Sequence, residues 1–173
     1  MRRWLSLGVA LALVLTALSP TAVLAAKPAP FFATGIVTGM TPGNLIVPAG
    51  NSGNWRVGER EVSGIFLPVP GAAIAGPFAF TYDGVFDLAT QSGNFHGTLA
   101  AGPNKFSVNG KVEPAGYAPD GSMLVKLTGH WTGHAGIKGV GTFEGVPFLI
   151  IDPVTGHVVG MTLAVTMTGS YQP

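Results

Sequence analysis

Between Gly160 and Tyr171 the chain reads GMTLAVTMTGSY, and its side chains alternate in kind with period two. Met161, Leu163, Val165 and Met167 fall on one side of an extended backbone, and Thr162, Ala164, Thr166 and Thr168 on the other. Successive side chains of a strand point to opposite faces, so this is a strand with one apolar and one threonine-lined face. The pattern recurs. Met123, Val125, Leu127 and Trp131 alternate with Lys126, Thr128 and His130; Phe78, Phe80 and Tyr82 share a face; Phe106, Val108 and Val112 share another; Phe95 and Leu99 oppose His96 and Thr98. Helical periodicity is hard to find anywhere in the same region. A chain of such segments has to bury its apolar faces sheet on sheet or within a closed sheet.

Turn signals divide the segments: Asp83-Gly84, Ser92-Gly93, Gly102-Pro103-Asn104, Pro119-Asp120-Gly121 and Asp152 to Gly156. The count is about eight strands at sandwich or barrel spacing. The Gly- and Pro-broken stretch from Phe31 to Phe66 is expected to hold two or three short strands. The irregular apolar stretch Leu67 to Pro77 suits either a flap at one end of a barrel or a packed connector.

The first residues do not belong to this pattern. Arg2 and Arg3 precede an apolar run from Trp4 to Leu18, Pro20 interrupts it, and Val23 and Ala25 are small residues at cleavage spacing. That order is the order of a secretory signal, read here as residues 1–25 with the mature domain at 26–173. The apolar run is shorter than the ~20 residues of a spanning helix. The expected destination is secreted or periplasmic, with no membrane span after cleavage. Loss of Arg2 and Arg3 turns 9 basic and 8 acidic residues into a net charge of −1. No basic patch is left to neutralise phosphates, which argues against a nucleic-acid partner. The mature length of about 147 residues suits one domain. Cysteine is absent, so there is no disulfide, thiol nucleophile or thiolate ligand.

LTGHWTGHAGIKGVGTFEG, Leu127 to Gly145, is the most glycine-dense stretch. A phosphate loop would need a helix after it, and the strand pattern TFEGVPFLIID follows instead. His130 and His134 on one strand lie ~13 Å apart at ~3.3 Å per residue, too far to share an ion, and no metal site is expected. The structural reading is that Gly136, Gly139, Gly141 and Gly145 allow bends or lie beneath Trp131 and Phe143.

TGHAGIKGVGTFEG, followed by an apolar hairpin and a Thr-rich last strand, resembles the C-terminal half of allene oxide cyclase-like barrels and their secreted bacterial relatives. Thr132-Gly133, Gly139, Gly141 and Gly145 carry the likeness, with Trp131 where the first glycine would stand. Phe86 to Ala100 resembles an upstream hairpin of the same proteins. The likeness spans Tyr82 to Tyr171. It implies an eight-stranded antiparallel barrel, often around an apolar cavity, and carries no catalytic residue across.

No Ser lies in a Gly-x-Ser-x-Gly elbow. Asp83, Asp120 and Asp152 sit in turn signals; Asp87 and Glu144 read as mid-strand carboxylates able to face a barrel interior or water. No catalytic residue and no cofactor is assigned. The reading is therefore an all-β chain, a small antiparallel β-barrel whose interior is apolar and closed to bulk water. Its candidate cavity lining is Phe78, Phe80, Tyr82, Met123, Val125, Leu127, Met161, Leu163, Val165 and Met167. The expected partner is a small apolar or amphipathic molecule. The alternatives are a surface or matrix interaction protein without a cavity, a cofactor-free isomerase or cyclase using Asp87, Glu144, a histidine or Tyr82, and, more weakly, an outer-membrane barrel. The oligomeric state is left open.

Overall fold

Every apolar-alternating segment forms a strand in the computed structural model, which describes residues 27–173 except 42, 44, 120 and 122. The leader read at residues 1–25 and the turn residue Asp120 lie outside the described residues. Nine strands follow in order: β1 Ala29–Met40, β2 Leu45–Pro48, β3 Asn54–Phe66, β4 Gly76–Asp87, β5 Ser92–Ala101, β6 Asn104–Tyr117, β7 Met123–Ala135, β8 Lys138–Ile151 and β9 Val158–Gln172. Each strand from β3 to β9 pairs antiparallel with the next, β9 pairs with β1, and β1 pairs with β3. The sheet is thus a closed eight-stranded antiparallel barrel, with β2 added along the free edge of β3. Closure leaves each barrel strand with a neighbour on both sides, which is how an all-β chain removes exposed sheet edges.

Closure is staggered. β1 pairs with β9 from Ala29 to Ile36 and with β3 from Gly35 to Met40. Beyond the Ile36–Ala164 pair the first and last strands diverge. Across that divergence the Thr162 hydroxyl donates to the Val37 carbonyl.

The N-terminal part of the domain departs from expectation. β1 and β3 are long barrel strands of 12 and 13 residues, and only β2 is short. Glycine and proline counted against long strands there, yet Gly35 and Gly64 sit where an added Cβ would run into Phe66 and Phe78. They are thin spots beneath aromatic rings, not breaks. Asp83-Gly84 is likewise no turn but mid-β4, and the chain reverses at Leu88 to Gln91 instead. Asp87 consequently ends β4 and does not sit in its middle.

The core occupies one half of the barrel. Trp131, Phe31, Phe66, Phe106 and Met167 are fully buried there. Phe31 packs 4.5 Å from Trp131 between ring centroids, and Phe106 meets Trp131 edge-on at 5.5 Å, within the 4.5–7 Å range of favourable aromatic pairs. The apolar stretch Leu67 to Pro77 is a packed connector closing this end. Ile74 is buried in the core cluster, the Ala73 amide donates to the Phe32 carbonyl, and the Leu67 amide donates to the Thr34 carbonyl.

The glycines between Leu127 and Gly145 are explained by packing. A Cβ on Gly141 would lie 2.7 Å from the indole of Trp131 and one on Gly169 2.8 Å from it, so the ring rests on bare backbone of β8 and β9. Gly110 and Gly129 hold Phe143 in the same way. His130 and His134 point outward from β7. The His134 Nε2 lies 2.5 Å from the Ser107 hydroxyl, and no cluster of metal-ligating side chains forms among the described residues.

Candidate functional site: an apolar cavity at the open end

The same alternation that fills one half of the barrel leaves space in the other. A cavity of about 310 Å³ is walled by Val37, Val57, Val62, Phe80, Tyr82, Phe86, Phe95, Val112, Val125, Leu127 and Leu163, with Met40, Arg60, Asp87, Leu88 and Gln91 at its mouth. The volume falls at the lower end of the ~300–1,000 Å³ typical of small-molecule sites. The expected closed interior is therefore corrected: the barrel is packed at one end and open at the other.

Wall glycines explain why. Phe86 lies flat over Gly84 and Gly93, where an added Cβ on Gly93 would sit 2.6 Å from its ring. The Tyr82 Cβ stands 2.8 Å from the Cβ position of Gly97. Phe80 and Tyr82 stack at 5.3 Å with 17° between their planes. Rings laid along bare backbone occupy the wall and leave the axis free. At the packed end the Trp131 ring also rests on bare backbone, but Phe31 and Phe106 pack against it and fill the space.

Eight of the ten candidate lining residues divide between these two regions. Phe80, Tyr82, Val125, Leu127 and Leu163 line the open cavity. Phe78, Val165 and Met167, again with Phe80 and Leu127, surround a residual gap of about 50 Å³ deeper in the barrel. Met161 lies on a lateral cleft of about 570 Å³ where β1 and β9 diverge, lined also by Ile36 to Met40, Val125, Pro147, Ile150, Thr162 and Leu163. The cleft shares Val37, Met40, Val125 and Leu163 with the cavity, so the two spaces adjoin. Met123 is half-buried and lines neither. Sequence reasoning missed Val37, Val57, Val62, Phe86, Phe95 and Val112. For the first three the signal was obscured by the glycines around them, while Phe95 and Val112 stood on apolar faces and Phe86 in a hairpin without being assigned to the lining.

The carboxylates separate too. Glu144 is exposed on the outer face of β8. Asp87 stands at the cavity mouth, but its Oδ1 accepts the amides of Ala89 and Thr90 at 2.8 and 3.2 Å. Hydrogen bonds from the Thr90 side chain and from the two amides hold its pKa below the ordinary 3.8. It is an ionised turn residue near neutral pH.

Beyond the barrel wall, β8 and β9 continue as a two-stranded ribbon. The β7–β8 ladder ends at Leu127–Gly145 and the β1–β9 ladder at Ile36–Ala164, whereas β8 and β9 stay paired to Ile151–Val158. Asp152 closes the tip, accepting amides from Val154 and Thr155. The ribbon is apolar on both faces: Val146, Phe148 and Ile150 stand on one, Leu149 and Met161 on the other, and Phe148 is 54% exposed. Among the described residues no helix is long and apolar enough to cross a membrane. No protein-family model matches the chain, and neither curated proteins nor solved structures give a match.

Proposed function

We propose that the protein is an exported carrier or receptor that binds one small apolar or amphipathic molecule in the open end of the barrel. The observation that supports this reading is the cavity itself: eleven apolar or aromatic walls with the charged and amide side chains at the mouth. Such a site offers a ligand apolar burial worth about 25 cal/mol per Å² and few directional contacts. The leader pattern of residues 1–25 supports export. Titration with N-phenyl-1-naphthylamine should show one bound probe per chain and a raised melting temperature. Absence of binding at saturating probe would overturn the reading.

A cyclase-like activity has less support. Asp87 and Tyr82 are the titratable candidates in the lining, and Asp87 is committed to its own turn. Kinship with the allene oxide cyclase-like barrels is proposed on the glycine pattern and the eight-stranded architecture alone, and fold does not carry activity with it.

The ribbon favours a second role, as an interaction surface. Its outer edges hold unpaired strand backbone, which another strand satisfies and hydrocarbon does not. The occupant it suits is a second copy of this chain, pairing ribbon to ribbon about a two-fold axis. Sedimentation equilibrium should show a concentration-dependent dimer.

A further inference from the structure

We propose that Arg60 is the anion-recognising group of the cavity, so that the ligand is an apolar molecule carrying a single negative charge. This rests on the binding role proposed above and names the chemistry of its ligand.

The inference starts from a β-bulge. Val57 pairs with Gly84 and Arg60 with Tyr82, so three steps along β3 match two along β4. The extra residue is accommodated around Glu59, which has φ 51°. Its amide donates to Asp83 Oδ1 at 3.1 Å, which fixes the irregular turn of backbone. Bulges re-aim side chains, and left-handed backbone at a non-glycine residue is strained, so it persists where the surroundings hold it. Here the bulge has one chemical consequence. Without the extra residue, the inward position opposite Tyr82 would carry the carboxylate of Glu59. With it, that position carries the guanidinium of Arg60.

Among the described residues Arg60 is the one basic side chain lining the cavity. Its Nε donates to the Thr41 carbonyl at 2.9 Å, which orients the group at the mouth. Thr41 is itself tied to β3, since its amide donates to the Glu61 carbonyl at 2.9 Å. The ion pairs Lys111–Glu113 and Lys126–Glu113 both lie elsewhere. Guanidinium carries five N–H donors in a planar fork, and Nε uses one of them. The remaining terminal nitrogens are left for a carboxylate, sulfonate or phosphate, which the fork matches with paired hydrogen bonds. Asp87 is the opposing charge of the mouth, and its Oδ1 is occupied by backbone amides. The terminal guanidinium nitrogens are therefore the donors at the mouth that a ligand anion can use. The aromatic wall of Phe80, Tyr82, Phe86 and Phe95 suits an aromatic body attached to it.

The test compares two probes of nearly one shape, 1-anilinonaphthalene-8-sulfonate and neutral N-phenyl-1-naphthylamine, on the full protein and on Arg60→Met. The sulfonate should lose about tenfold in affinity in the variant, the scale of a charge-assisted contact at a half-exposed site, while the neutral probe stays within about twofold. In the wild-type protein, added salt should weaken the sulfonate and leave the neutral probe unchanged, a measurement that needs no variant. Arg60→Lys, which keeps the charge, should retain the salt dependence. Equal losses for both probes, or salt-independent sulfonate binding, would overturn the assignment and leave the cavity reading standing. If neither probe binds the wild-type protein, the cavity reading itself falls.

Discussion

The indole nitrogen of Trp131 donates to the backbone carbonyl of Thr168, two strands along the barrel wall, at 3.1 Å, and reaches the Thr142 carbonyl at 3.2 Å. One side chain of β7 thereby pins β8 and β9 at the glycines on which its ring rests. Trp131→Phe removes the donor and part of the ring. The loss should be about 2–4 kcal/mol, the sum of a buried hydrogen bond and lost packing, read from the midpoint of urea unfolding. Because Trp131 belongs to the packed end, binding of an apolar probe at the open end should be unchanged under native conditions.

Gly141→Val should cost about 3 kcal/mol, since the new side chain meets both the Trp131 ring and the backbone of β9. Near-UV circular dichroism should show the tryptophan environment altered. A variant that melts like the wild type would show that the ring has room the packing denies it.

Val112→Trp and Val165→Trp should behave differently. Val112 faces the open cavity, and a bulky ring there fills ligand space. Probe binding should vanish while the melting temperature holds within a few degrees. Val165 faces the 50 Å³ gap, too small for an indole, so overpacking should destabilise by about 1–3 kcal/mol. Equal behaviour of the two variants would contradict the division of the interior.

Stability should respond to acid through Asp87 and Asp152. Hydrogen bonds from turn amides lower both pKa values from the ordinary 3.8. A carboxyl with a depressed folded pKa contributes stability that is present above its unfolded value and is lost as pH falls through the folded one. Unfolding free energy should therefore be level with respect to these groups above about pH 5 and fall below 3.8. Asp87→Asn and Asp152→Asn together should flatten the acid limb of a stability–pH curve.

Ile150→Lys places a charge on the outer face of the ribbon, where Ile150 is 44% exposed. If the ribbon pairs with a second copy, this variant should sediment as a monomer at concentrations where the wild type is dimeric. Its probe affinity should stay within a fewfold of wild type, because Ile150 borders the lateral cleft and not the cavity.

The all-β architecture was legible in the alternation of Met161 to Met167 and of Met123 to Trp131, because a period of two leaves no other regular structure. The barrel's division into a full and an empty half was not. Val165 and Leu163 share a face and are both aliphatic, yet one faces the deep gap and the other the open cavity. What separates them is what other strands contribute: at one end Phe31 and Phe106 pack onto the Trp131 ring, and at the other Phe86 lies flat over Gly84 and Gly93. Arg60 was hidden for a related reason. Glu59-Arg60-Glu61 reads as a solvated edge, and only the inserted residue, visible in the pairing of β3 with β4, turns the arginine inward.

Closure of β1 against β9 joins partners far apart in the chain; Thr34 and Thr166, whose hydroxyls meet at 3.5 Å, are separated by 132 positions. Ladders of that separation are among the last to form, because the entropy of closing the intervening loop is spent before any contact rewards it. Val37 and Leu163, on opposite sides of this seam, both line the cavity. The binding site therefore comes into existence only with the final step of folding. In a refolding experiment, probe fluorescence should lag behind the strand signal in circular dichroism and report the slowest phase alone.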